Sequence, residues 1–163
     1  DDDDARAPRV YEPVESWPHV RRKAYEYLAL FNERNPARAM NLVLFDEAMM
    51  HLMKINRTIQ QKRGSAMLVG VGGSGKQSLA RLAAYTSNHY CFQITITKSY
   101  NDNALFEDLR TLYIRAAVKG ESVSFIFTDA EVKSEGFLEY LNSMLATGEV
   151  VGLFAKDEKD GMC

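Results

Sequence analysis

A lysine preceded by closely spaced glycines is the part of this sequence best suited to chemistry. Glycines let a backbone curl so that several N–H groups point inward, and the positive end of a following helix favours anions. An apolar stretch at 66–69 precedes the run and a helical pattern at 79–85 follows it. This order is that of the phosphate-binding P-loop. The run itself is Gly70, Val71, Gly72, Gly73, Ser74, Gly75, Lys76, Gln77 and Ser78.

The side chains of this run have different expected roles at a bound nucleotide. Lys76 is expected to reach the β- and γ-phosphates as a point charge, and Ser78 to touch the α-phosphate. The P-loop pattern has Ser or Thr directly after the lysine, where the hydroxyl binds Mg²⁺. This chain has Gln77 there, whose carbonyl oxygen is a less constrained ligand. Ser78 does not replace the hydroxyl, because one helical step rotates it by about 100°.

A second candidate lies where the apolar strand at 123–128 ends in acids. In nucleotide hydrolases an Asp at this place holds Mg²⁺, and a following acid activates water. Two registers are open: Asp129 is the metal-side acid and Ala130 takes the base position, or Asp129 is the base and Thr128 takes the metal side. One acid is missing in either register. Glu131 would compensate only through an unusual turn, so we expect it to be solvated.

Both departures weaken the placement of a cation and of water, and they leave phosphate binding intact. We therefore expect ATP or ADP to bind, with Gln77 and Asp129 as the candidate ligands of any Mg²⁺, and hydrolysis to be slow or absent. The apolar segment Met40–Phe45 includes Val43 and Leu44 and is a candidate for packing on the adenine ring. A purely structural role for this segment is the alternative.

Composition narrows the class of protein. The 163 residues suffice for one compact domain, and 46% hydrophobic with 26% charged residues is typical of globular proteins. A net charge of −2 without a clustered basic face disfavours nucleic acid as a partner. No apolar run reaches the roughly 18 residues of a membrane span, and no signal peptide is visible. Cys91 and Cys163 do not form a disulfide framework, which favours a reducing compartment such as the cytoplasm.

Hydrophobic periodicity divides the chain into three parts. Residues 1–15 are expected to be a flexible linker, residues 16–62 an N-terminal pair of helices, and residues 63–163 an α/β P-loop core. The pair of helices is predicted at 16–33 and 46–60. In the core we expect strands at 66–70, 91–96 and 123–128, and helices at 77–86, 103–118 and 136–146. Strands that alternate with helices predict a parallel sheet with helices on both faces.

The residues in these motifs resemble those of the fourth AAA+ module of dynein heavy chains, specifically the axonemal kind. The Lys-Gln-Ser variant of the P-loop and the Phe-Thr-Asp strand end favour this module over AAA+ ATPases in general. The stretch 92–101 is most similar to outer-arm heavy chains. The resemblance covers nearly the whole chain, from about Tyr11 onward, and its carriers are residues 40–46, 68–79, 92–94, 98–100, 127–129, 136–139, 147–150 and 153–154.

This resemblance implies a motor that walks on microtubules in the axoneme of a cilium or flagellum. In that family the first module performs the main ATP hydrolysis and the fourth is regulatory. The implied partners are the neighbouring AAA+ modules, the dynein intermediate and light chains, and microtubules bound through a coiled-coil stalk beyond this chain. The resemblance also implies that Thr128 takes the metal-side position and Asp129 the base position.

A complete AAA+ module of this family has further parts: two more strands, a sensor residue, a helical lid and an arginine finger from a neighbouring module. We expect this chain to be truncated before the last strands and the lid, and to self-associate in isolation. Two other functions stay open. A standalone P-loop small-molecule kinase would need lid arginines where this chain has Lys156 and Lys159. A structural module would keep its nucleotide permanently bound.

Overall fold

The computed structural model describes residues 13–14, 16–155 and 158. The linker predicted at residues 1–15 lies outside these except for residues 13–14, and so do Lys156, Lys159 and Cys163. The helices lie within two residues of their predicted bounds, which confirms those assignments. The elements, in chain order, are α1 (Trp17–Arg34), α2 (Asp46–Ile59), α3 (Lys76–Thr86), β1 (Tyr90–Gln93), α4 (Asp102–Ala117), β2 (Val123–Ile126) and α5 (Glu135–Thr147), with 3₁₀ turns at Pro36–Arg38 and Asp129–Glu131.

The helix ends follow local sequence signals. Pro18 lies in the first turn of α1, where its missing N–H costs nothing, whereas the side chain of Ser16 forms no capping bond. Asn101 caps α4, since its side chain accepts a hydrogen bond of 3.0 Å from the backbone N–H of Ala104. Gly148 ends α5 in the left-handed region, at φ 78°.

The two strands form a parallel pair, with the register running from Tyr90 opposite Val123 to Gln93 opposite Ile126. Helices cover both faces. Phe92 and Phe125 point toward the core that α4 and α5 complete, and Gln93 points the other way, toward Arg81 of α3. A parallel sheet between helices is therefore confirmed. Both strands end earlier than predicted, at residues 93 and 126. These two residues are paired with each other, and the hydrogen-bonded ladder does not continue beyond them.

The strand predicted at 66–70 is wrong, because this segment belongs to no ladder of the described sheet. Leu68 packs against the hydrophobic core to which α1, α2 and α3 contribute. Its neighbours Met67 and Val69 point away and are 91% and 86% exposed. An apolar composition favours an extended segment, but only a hydrogen-bonded neighbour makes it a strand.

Two hydrophobic clusters fill the interior on the two sides of the sheet. The first joins α1, α2 and α3 and contains Leu28, Leu44, Met49, Leu52, Leu79 and Leu82. The second joins the strands to α4 and α5 and contains Ile94, Leu105, Leu109, Phe137, Val150 and Leu153. Among the residues described, no helix has both the length and the apolar character to cross a membrane.

Candidate functional site

The glycine-rich loop turns into α3 through two residues with left-handed backbone, Gly73 at φ 75° and Gly75 at φ 77°. Helix α3 begins at Lys76, one residue earlier than predicted. A Cβ on Gly75 would also lie 3.2 Å from Leu42 Cδ1. The left-handed backbone therefore favours glycine at position 75, and a side chain there would also push Leu42 aside by a few tenths of an ångström.

Lys76 points into its own loop. Its Nζ donates hydrogen bonds to the carbonyl oxygens of Gly70 at 2.8 Å and Val71 at 2.6 Å, and to Ser74 Oγ at 3.1 Å. The ammonium group therefore lies within the curl of the loop, where a P-loop lysine meets phosphate oxygens. Placed there, Lys76 concentrates positive charge beside the N-terminus of α3.

Gln77, the residue that replaces the usual hydroxyl, contacts a polar cluster on the sheet. Its Oε1 accepts hydrogen bonds from Gln93 Nε2 at 3.3 Å and from Arg81 Nη2 at 3.4 Å. Arg81 also donates to Gln93 Oε1, from Nε at 3.2 Å and from Nη2 at 2.5 Å. Gln93 is the last residue of β1, so the first turn of α3 is joined to the carboxyl end of the sheet.

Of the acids that follow β2, Glu131 is buried, whereas the sequence predicted that it would be solvated. The turn Asp129–Glu131 brings its side chain back under the end of β2, where it is 6% exposed. Its carboxylate accepts hydrogen bonds from the backbone N–H of Thr128 at 2.6 Å and from Gln93 Nε2 at 3.0 Å. The prediction of a solvated Glu131 is therefore wrong, because a capping box with Thr128 holds it inside.

The structure brings the two halves of the predicted site to one edge of the sheet. A chain of hydrogen bonds links Gln77, Gln93, Glu131 and Thr128. Sequence reasoning did not assign Gln93 or Arg81 to the site. No local signal marks them, because they meet only after α3 packs on β1.

The segment Met40–Phe45, the candidate for packing on adenine, directs some side chains into the core and others toward solvent. Leu44 is 2% exposed and belongs to the first hydrophobic cluster, so the structure gives it a core position and not a ligand contact. Val43 is 70% exposed, and Leu42 is the residue that reaches the loop, at Gly75.

A cleft of about 600 Å³ opens beside this segment and the first turns of α3. Its lining includes Met40, Asn41, Ser78, Arg81, Gln93 and Ile96. The cleft combines apolar side chains with amide, hydroxyl and guanidinium groups, a combination suited to a nucleoside next to the phosphate loop.

The fit of this site to Mg²⁺ is partial. Asp129 is an exposed carboxylate at the first position of its turn, and Mg²⁺ in nucleotide sites takes one or two carboxylates with phosphate oxygens and water. The carbonyl oxygen of Gln77 is engaged by two donors. Nowhere in the described part of the chain do three or more His, Cys, Asp or Glu side chains gather around a common point suited to a metal ion.

A parallel sheet between helices, with a glycine-rich loop that opens into a helix at a lysine, defines the P-loop class of α/β proteins. Within that class, residues 40–163 match the sequence profile of the P-loop containing dynein motor region D4. The chain belongs to this family, and its fold is that of an AAA+ P-loop module.

The relatives of this chain are dynein heavy chains. It is 52% identical over 157 residues to dynein axonemal heavy chain 5 of Mus musculus. It is 47% identical over 152 residues to a ciliary dynein beta chain of Heliocidaris crassispina. It is 43% identical over 156 residues to the dynein-1-alpha heavy chain of the flagellar inner arm I1 complex of Chlamydomonas reinhardtii. The matches cover 96%, 93% and 96% of this chain, and 3% of each relative's length.

These findings confirm the resemblance to an axonemal dynein heavy chain. The expected axonemal localisation, in a cilium or flagellum, agrees with the same relatives. They give no support to a standalone kinase. The choice of an outer-arm type stays a prediction, since an inner-arm heavy chain is also among the relatives.

Proposed function

We propose that this region is a regulatory nucleotide-binding module of a ciliary or flagellar dynein motor, and that it binds ATP or ADP and hydrolyses it slowly or not at all. The observation that carries the proposal is the loop around Lys76, whose ammonium group lies within the curl beside the start of α3. Backbone N–H groups, a helix N-terminus and a lysine together form a phosphate site.

The low hydrolysis rests on two positions. Gln77 replaces the hydroxyl of the P-loop pattern, and Thr128 replaces the metal-side acid in the register that the family resemblance implies. Asp129 then takes the base position. Each change removes a group that places Mg²⁺ or polarises the attacking water, and neither removes a phosphate contact.

The regulatory role concerns the whole heavy chain. We propose that the module contacts neighbouring AAA+ modules and biases a motor that reaches microtubules through a stalk outside this chain, with intermediate and light chains as further partners. A regulatory site requires that ATP and ADP stabilise different states of the motor. A structural site would hold one nucleotide without exchange.

The test uses the intact heavy chain with Lys76→Ala, and with Lys62→Ala as a matched control, since Lys62 is an exposed lysine outside the loop. We expect Lys76→Ala to remove one bound nucleotide per heavy chain, because losing charge-assisted bonds of this kind weakens affinity roughly ten- to hundredfold. Nucleotide content after gel filtration, and exchange of a labelled nucleotide, measure this.

Single-turnover hydrolysis completes the test. The wild type should bind more nucleotide than Lys76→Ala, but it should form little more hydrolysed product than Lys76→Ala does. Unchanged nucleotide content in Lys76→Ala would refute binding. Rapid product formation that depends on Lys76 would refute the slow-hydrolysis part of the proposal.

A further inference from the structure

Both lone pairs of the Gln77 amide oxygen already have hydrogen-bond donors in this structure. An amide oxygen accepts two hydrogen bonds through its two lone pairs, and Gln77 Oε1 has donors from both Gln93 and Arg81. Mg²⁺ demands an oxygen ligand at roughly 2.0–2.1 Å in rigid octahedral geometry. Gln77 would therefore have to give up at least one of these donors to become a ligand.

The orientation of Gln93 is fixed by its neighbours. Arg81 can only donate, so Gln93 turns its Oε1 toward the guanidinium group. Its Nε2 then faces two acceptors, Gln77 Oε1 and the Glu131 carboxylate, at 3.3 Å and 3.0 Å. Every hydrogen bond in this cluster therefore joins a donor to an acceptor. Its two charged members, Arg81 and Glu131, have opposite charges.

The cluster continues into the turn that carries Asp129. Buried Glu131 accepts from Gln93 with one oxygen and from the backbone of Thr128 with the other. The first turn of α3 and the end of β2 are thereby joined through side chains, at the place where a shared cation joins them in other P-loop sites.

We propose that Gln77 is a positioning residue that takes over the structural role of the cation, and that the site binds nucleotide with little dependence on Mg²⁺. Arg81 and Gln93 hold Gln77 in this role. The inference rests on nucleotide binding at the loop of Lys76, as proposed above, and it specifies how that binding is supported.

The test compares nucleotide affinity with Mg²⁺ and with a chelator in the intact heavy chain. A fluorescent ADP is titrated, and the same titration on Lys76→Ala is subtracted to isolate this site. We expect chelation to change the affinity of the wild type less than threefold. Gln77→Thr, which supplies the hydroxyl, should raise the Mg²⁺ effect to tenfold or more, and Gln77→Met should leave it below threefold. Gln61→Thr is the control, because Gln61 is exposed and outside the site.

A second readout counts the cation directly. Mn²⁺ bound together with ADP, measured by its paramagnetic resonance, should increase by about one ion per heavy chain in Gln77→Thr and stay at the wild-type value in Gln77→Met. A tenfold loss of wild-type affinity on chelation, with Gln77→Met abolishing that loss, would overturn the inference and make Gln77 a metal ligand. No Mg²⁺ effect in Gln77→Thr would overturn it as well.

The two proposals fail differently. If Lys76→Ala removes no bound nucleotide at all, nucleotide binding is refuted and this inference falls with it. If Lys76→Ala removes nucleotide but chelation does so too, only the inference about Gln77 is overturned.

Discussion

Glu131 shows how far a single side chain can depart from what its position in the sequence indicates. A glutamate two residues beyond a strand is ordinarily a solvated charge. Here one 3₁₀ turn directs it inward, where it caps Thr128 and fixes the amide of Gln93. A buried carboxylate that only accepts hydrogen bonds is tolerated because both of its oxygens have donors.

Glu131→Gln tests that account. The new amide would turn its NH₂ toward either Thr128 N–H or Gln93 Nε2, and both are donors, so one part-buried donor loses its acceptor. We expect a loss of about 1–3 kcal/mol in the free energy of unfolding, measured by urea denaturation of the recombinant chain at low concentration. Glu139→Gln, at an exposed position of α5, should change it by less than about 0.5 kcal/mol. Equal effects of the two substitutions would contradict the account.

The residues of the site were predictable to different degrees. Gly70 to Ser78 could be identified from the sequence because a P-loop is one continuous segment with its own backbone requirements, visible at Gly73 and Gly75. Arg81 and Gln93 could not, because their contact depends on how α3 packs on β1. Leu44 could not be assigned from sequence, since an apolar residue offers the same signal whether it meets a ligand or the core, where the structure places it.

At the scale of elements, the helices followed the sequence closely and the strands did not. A helix satisfies its backbone within its own segment, so periodicity and caps such as Asn101 suffice to locate it. A strand depends on a partner that the local sequence does not show. The segment 66–70 has the composition of a strand, yet it lies outside the described ladder.

Tyr100, just before α4, makes the packing of that helix sensitive to high pH. Burial, followed by a hydrogen bond to Asp108, raises the pKa of its phenol above the ordinary value of 10.0. Its ring also meets Phe137 of α5 edge-on, with the ring centroids 6.0 Å apart. Deprotonation would place a phenolate beside the Asp108 carboxylate, which disfavours the folded state.

The expected result is a stability that declines only in alkali. Below pH 10 the phenol is protonated in both the folded and the unfolded chain, so its contribution is complete. Above pH 10 the unfolded chain loses the proton first, and the free energy of unfolding falls with pH until the folded-state pKa is reached. Urea denaturation between pH 8 and 11 should show a shallower decline for Tyr100→Phe than for the wild type. An identical decline in both would remove Tyr100 as a cause.

At the scale of the whole molecule, an apolar segment lies uncovered. Met67 and Val69, directly before the phosphate loop, are 91% and 86% exposed, and Val71 at its start is 79% exposed. Scattered apolar residues on a surface are ordinary, but a contiguous extended run is a site for association. The chain spans about 3% of the length of the relative to which it is 52% identical, and in a protein of that length other segments would be able to cover this run.

The isolated chain should therefore self-associate through this run. Burying a valine contributes about 1.5–3 kcal/mol, so Val69→Lys should weaken association roughly tenfold or more, as measured by sedimentation velocity over a concentration series. Val118→Lys, at an exposed valine that follows α4, is the control and should have little effect. A wild-type chain that sediments as a monomer at all concentrations would contradict the expectation.

The bonds of Lys76 would make the proposed binding of nucleotide at this loop an exchange reaction. All three hydrogens of the ammonium group are directed at Gly70, Val71 and Ser74 of the same loop, so a phosphate oxygen must compete with those internal acceptors. The tethered lysine keeps the loop in a receptive shape, which reduces the ordering cost of association, yet it also subtracts the strength of the displaced bonds. If nucleotide binds here as proposed, the affinity of the site is the difference between two sets of contacts to one ammonium group, and the loop competes with its own ligand for that group.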